Sequence, residues 1–130
     1  MKTLNPPGWP TPKGYSNGIA ASGRFVFVAG QIGALPDMTF ESDDFGVQFR
    51  RALQNTVDVL AAGGAKPEHI ARMTIYVTDK QEYIARLREV GAAWRDIIGK
   101  HFPAMALVQV TALVEDRAKI EIETTAVVPE

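Results

Sequence analysis

The sequence predicts an α+β fold in which two helices cover one face of a mainly antiparallel or mixed sheet. Three observations lead there. An apolar stripe recurs at helical spacing from Phe45 to Leu60 and again from Tyr83 to Ile98. Around these stripes lie β-branched or alternating runs at 24–29 (RFVFVA), 70–78 (IARMTIYVT), 104–113 and 118–128 (AKIEIETTAVV). The length, 130 residues, suits a single domain, 1–130, with one core.

Residues 1–13 carry four prolines and a glycine and read as an extended arm outside the core. A short strand is expected at 15–21, ended by the turn pair Ser22-Gly23, and a stronger one at 24–29, bounded by glycines. Residues 32–43 read as a loop, broken by Gly33, Pro36 and Asp37. The first helix places Phe45, Phe49, Ala52, Leu53, Thr56, Val57 and Leu60 on one face. Ser42, Asp43 and Asp44 offer its N-cap, and Gly63-Gly64 end it. A turn at 67–69 and the strand at 70–78 follow.

The second helix is capped by Asp79, carries Leu87, Val90, Gly91 and Trp94 on its inner face, and stops at Gly99. The last two strands close the order β-β-α-β-α-β-β. Two helices cover one sheet face only, yet 24–29 and 107–110 put apolar side chains on both. The uncovered face must meet something else, and self-association is the expected answer, the alternative being a monomer with an apolar patch.

Composition narrows the chemistry. A net charge of −1, from 14 basic and 15 acidic residues, leaves no electrostatic footprint for nucleic acid or an anionic membrane. The absence of cysteine excludes disulfide scaffolds, thiolate metal sites and cysteine nucleophiles. The N-terminus has no apolar run of signal-peptide length and no stretch reaches a membrane span, so a cytoplasmic protein is expected. Neither GxxxxGK[ST] nor GxGxxG is present, and no GxSxG elbow precedes a helix. His69 and His101 fall in turns without metal-ligand spacing.

Residues at strand ends remain. Ala29-Gly30-Gln31-Ile32-Gly33 ends an apolar strand where glycine admits a close approach, and Phe102-Pro103-Ala104-Met105-Ala106 opens another. Glu121 and Glu123 share a strand face, most simply a solvated one; against an oligomer interface, Glu121 becomes a partly desolvated carboxylate.

Four stretches, GYSNG with Tyr15, VFVAGQIG (26–33), FPAMALVQV (102–110) and KIEIE (119–123), resemble the RidA/YjgF family of small imine and enamine deaminases. The likeness covers nearly the whole chain. It implies a chorismate-mutase-like fold, a homotrimer whose sheets surround a central barrel, and small-molecule clefts between subunits. It also implies hydrolysis of reactive imines and enamines to a keto acid and ammonia, with neither metal nor organic cofactor. Endoribonuclease L-PSP and translation inhibitor are older labels for this family.

By position, Tyr15 matches the family's cleft tyrosine, Gly30 and Gln31 the strand end lining the cleft, and Glu121 the catalytic glutamate that orients the attacking water. The departures carry equal weight. Met105 stands where deaminases of the family have a carboxylate-clamping arginine, Leu107 where cysteine is common, and Gly91 where the cleft asparagine falls. A thioether cannot imitate a guanidinium fork. Its loss costs about 2–5 kcal/mol, roughly 30- to several-thousand-fold in substrate capture. The expected protein is an imine or enamine hydrolase of altered selectivity, with Tyr15, Gly30, Gln31, Met105 and Leu107 as binding residues. The alternative is a non-catalytic trimer that binds a metabolite, or acts as a chaperone, with the same cleft.

Overall fold

The computed structural model describes residues 1–130. In chain order the elements are β1 (Lys2–Leu4), β2 (Gly18–Ala20), β3 (Arg24–Ile32), α1 (Phe45–Ala62), a 3-10 turn (Pro67–His69), β4 (Ile70–Val77), α2 (Lys80–Ala85), α3 (Leu87–Ile97), β5 (Ala104–Gln109) and β6 (Ile120–Val128). Four strands form one sheet in the order β3-β6-β4-β5. Only β4 and β5 run parallel, so the sheet is mixed.

Four elements differ clearly from the sequence reading, the first being β3, which runs on to Ile32 instead of stopping at Ala29. The segment expected at 15–21 shortens to β2 and leaves the main sheet, pairing antiparallel with β1 from the proline-rich arm. The second helix divides at Arg86 (φ −117°, ψ 24°) into α2 and α3. Its guanidinium is drawn to α1, donating to Asp44 Oδ1 at 2.8 Å and Asp44 Oδ2 at 3.0 Å, while its Nε donates to Glu89. Strand β5 ends at Gln109 rather than 113.

Each long element starts for a local reason. Asp44 caps α1, its carboxylate accepting the Val47 N–H at 3.0 Å, and Asp79 caps α2 through the Gln81 N–H at 2.9 Å. The helices cover one face, burying Phe45, Phe49 and Leu53 against Met73, Ile120 and Ile122. One buried polar residue ties this layer together. Gln48, on α1, donates through Nε2 to Ser42 O (3.1 Å) and Arg117 O (3.0 Å), and its Oε1 accepts from Lys119 N (2.9 Å). It thereby fixes where β6 begins.

The opposite face is open. It is apolar along its margins, where Phe25 and Phe27 on β3 are 56% and 71% exposed and their rings meet edge-on at 5.8 Å. The middle strands present Arg72, Thr74, Tyr76 and Glu123 instead, and Tyr76 donates its hydroxyl to Glu123 at 2.5 Å. The exposed apolar part of this face thus lies on the edge strands β3 and β5. No helix is long and apolar enough to cross a membrane.

Candidate functional site

Tyr15 reaches the sheet through its neighbour. Ser16 bridges to Ala104 beside β5, with Ser16 N donating to Pro103 O at 2.9 Å and Ser16 Oγ to Phe102 O at 2.5 Å. These bonds hold Tyr15 over a cavity of about 760 Å3 between β5 and α3, with Met105 and Leu107 on the strand wall and Val90, Gly91 and Trp94 on the helix wall. Trp94 stacks on Phe102 at 6.4 Å and donates Nε1–H to His101 O at 3.1 Å. Tyr83 also lines the cavity, and burial pushes its hydroxyl above the ordinary phenol value, so it stays protonated at neutral pH.

The other expected residues lie elsewhere. Gly30, Gln31 and Glu121 line a second cleft, of about 480 Å3, with the loop that follows β3. Pairing between β3 and β6 runs Val28 with Thr124 and resumes at Gln31 with Ile122, so Ala29 and Gly30 share the span opposite Glu123. This β-bulge brings Gly30 against Glu121. A Cβ at Gly30 would stand 2.2 Å from Glu121 Oε2, so only glycine leaves the carboxylate its present position. Glu121 is half-buried and forms no ion pair, whereas Glu123 is engaged by Tyr76.

One polar residue of α1 braces this cleft. Asn55 donates to Ile32 O (3.1 Å) and Ala34 O (2.7 Å), pinning the loop, and Gly33 lets α1 close in, since a Cβ there would meet Gln48 Cα at 2.6 Å. Gln48 and Asn55 were absent from the sequence reading. Gln48 did carry a signal, a polar side chain three residues after Phe45 and four before Ala52, inside the apolar stripe; nothing comparable marks Asn55.

The two groups sit on opposite faces of the sheet. Met105 pairs with Met73, which is fully buried under the helices, while Glu121 pairs with Tyr76 on the open side. One chain therefore unites Tyr15 with Met105 and Leu107, and Gly30 with Gln31 and Glu121, without uniting the two sets.

Both histidines have local structural tasks. His69 Nδ1 accepts from Lys66 N at 2.9 Å, and His101 Nε2 donates to Ile70 O at 2.6 Å. No three metal-ligating side chains converge.

Comparison with known proteins adds identity to this geometry. The family described as endoribonuclease L-PSP matches residues 9–128. The chain is 32% identical to a 2-iminobutanoate/2-iminopropanoate deaminase of Salmonella typhimurium over 81% of this chain and 80% of that protein. Its fold superposes on that of the Rid-family protein YyfB from Yersinia pestis with a TM-score of 0.85, at 27% identity and 98% coverage of both chains. Escherichia coli TdcF, crystallised with bound serine, gives a TM-score of 0.71 at 30% identity, covering 98% of this chain and 99% of that one. The chain, with its two helices on one face of a mixed sheet, belongs to the RidA/YjgF, or endoribonuclease L-PSP, family.

Proposed function

We propose that the protein is a cofactor-independent imine or enamine hydrolase acting on substrates other than the smallest imino acids. The observation that carries this reading is the Glu121 carboxylate, half-buried, unpaired and facing a cleft across the Gly30 gap. In the reaction, Glu121 orients a water and accepts its proton as oxygen bonds to the imine carbon. That proton passes to nitrogen to give a carbinolamine, whose hydroxyl proton is then transferred to the amino nitrogen as the C–N bond breaks, so that ammonia leaves a carbonyl compound. An enamine first takes a proton at carbon to become the imine.

A homotrimer completes the proposal. Each copy has two open sheet edges, β3 and β5, and a head-to-tail ring sets the Glu121 side of one copy against the Met105 side of the next. Light scattering should give three times 14.2 kDa; a monomer at micromolar concentration refutes the ring. The shift in selectivity rests on Met105, a thioether on the cavity wall where an arginine would clamp a carboxylate. Met105→Arg should raise turnover of 2-iminopropanoate by at least about tenfold. Native turnover as fast as that of arginine-bearing relatives overturns this assignment.

The decisive experiment replaces Glu121 with glutamine, which keeps shape and removes the base. Ammonia release should stop while the assembly persists. A Glu121→Gln protein that hydrolyses imines at the native rate supports the second reading, a metabolite-binding protein. The observation favouring that reading is that the larger, more apolar cavity contains no carboxylate among its lining residues.

A further inference from the structure

The cavity beside β5 has a charge pattern unlike the rest of the molecule. Three cations line it, Lys13, Arg95 and Lys100, and no acid does. None of the three is in an ion pair; the nearest acids in sequence are engaged, Glu89 by Arg86 and Asp96 by Arg50. In a chain of net charge −1, this is a local concentration of positive charge over an apolar floor.

Arg95 is positioned by what is missing one turn earlier. Its Nη1 lies 3.4 Å from where a Cβ at Gly91 would be. Helical side chains lean toward the N-terminus, so the guanidinium lies back over Gly91 at the helix wall of the cavity. A longer side chain at 91 would occupy the space it uses. Met105 and Leu107 meanwhile make the strand wall apolar. The anion-binding capacity of the cavity is thus on the helix wall and not on the strand. The volume, about 760 Å3, lies within the roughly 300–1,000 Å3 that accommodates drug-sized ligands.

We propose that this cavity binds a monocarboxylate with a sizeable apolar body, aryl or aliphatic, its carboxylate held by Arg95 with Lys13 and Lys100 flanking and its apolar part against Met105, Leu107 and Trp94. The inference rests on the proposed function in that it names the ligand class for the same cleft, but binding requires no turnover.

Isothermal titration of the full protein with 4-phenylbutanoate, 4-phenylbutan-1-ol and acetate tests it. The acid should bind at least about tenfold more tightly than the alcohol, as a charge-assisted pair requires, and acetate should bind weakly for want of an apolar body. Arg95→Gln, at an exposed position, should reduce the acid's advantage to about twofold or less, and Arg95→Lys should restore part of it. Raising salt should weaken the acid and leave the alcohol unchanged. Equal affinity of acid and alcohol, an advantage that survives Arg95→Gln, or no binding of the acid at millimolar concentration overturns the proposal. Glu121→Gln separates the two readings. Acid binding retained with hydrolysis lost upholds both. Absent acid binding with Glu121-dependent hydrolysis overturns this inference alone.

Discussion

Gln48→Leu removes one side chain and leaves three backbone groups without their partner, Ser42 O, Arg117 O and Lys119 N. Gln48 itself is fully buried, so the leucine fits an apolar environment and creates little cavity. The cost is then the unmade hydrogen bonds, about 1–3 kcal/mol each when water cannot substitute. All three sit at a part-buried rim, so the low end applies and the total is about 3 kcal/mol. Unfolding entropy of about 2.1 cal/mol/K per residue over 130 residues is about 0.27 kcal/mol/K, so the midpoint should fall by about 11 °C.

Gln48→Glu supplies a second arm. It keeps the acceptor for Lys119 N but turns a carboxylate toward two carbonyls, and its burial raises the folded-state pKa. This variant should be less stable than Gln48→Leu at pH 7 and recover as pH falls, when the protonated acid can donate again. Thermal scans and urea titrations at matched protein concentration provide both readings, because assembly couples stability to concentration. A Gln48→Leu midpoint within about 3 °C of native would refute the reasoning, since it would mean that water satisfies all three groups.

Three further perturbations have definite outcomes. Gly30→Ala brings a Cβ to 2.2 Å from Glu121 Oε2, short of ordinary contact at 3.4 Å by 1.2 Å, so the carboxylate must swing away. Imine hydrolysis should drop about a hundredfold with circular dichroism unchanged, and full activity would show that Glu121's position is immaterial. Thr124→Val replaces a buried hydroxyl that has no partner, so unfolding should require about 1 kcal/mol more and the midpoint rise by about 4 °C; a fall would contradict it. Asp44 is held below the ordinary aspartate value, chiefly by the Arg86 hydrogen bond and then by the Val47 N–H. Its stabilising contribution is complete above the unfolded value of about 3.9 and disappears as pH falls through the lower folded one. Urea titration should therefore show Asp44→Asn weaker than native at pH 7 and the gap closing toward pH 2; a constant gap would remove the linkage.

Elements with one dominant face were readable in advance. Helix α1 follows from seven apolar or small residues at helical spacing, and β6 from isoleucines alternating with glutamates. The break at Arg86 was not, because Tyr83, Leu87 and Val90 continue a helical period straight across it. The cause lies 42 residues away in Asp44, and no local pattern carries that distance. The β1–β2 pairing was hidden by the prolines around it, which argue locally for an arm. Among site residues, Glu121, Met105 and Tyr15 could be named from the motifs that hold them. Their division between two sheet faces could not, because face assignment across strands depends on register and on the bulge at Ala29 and Gly30.

The bond from Ser16 Oγ to Phe102 O spans 86 residues, and it carries Tyr15 to the mouth of the larger cavity. That cavity has walls from the first fifteen residues, from α3 and from β5, so no contiguous fragment shorter than residues 13–107 contains its lining. Its completion must wait for a long-range closure that is slow to form compared with either helix. Ligand affinity in this region consequently reports on finished chains only: a nascent or clipped polypeptide can hold a helix or a hairpin, yet has no pocket to fill.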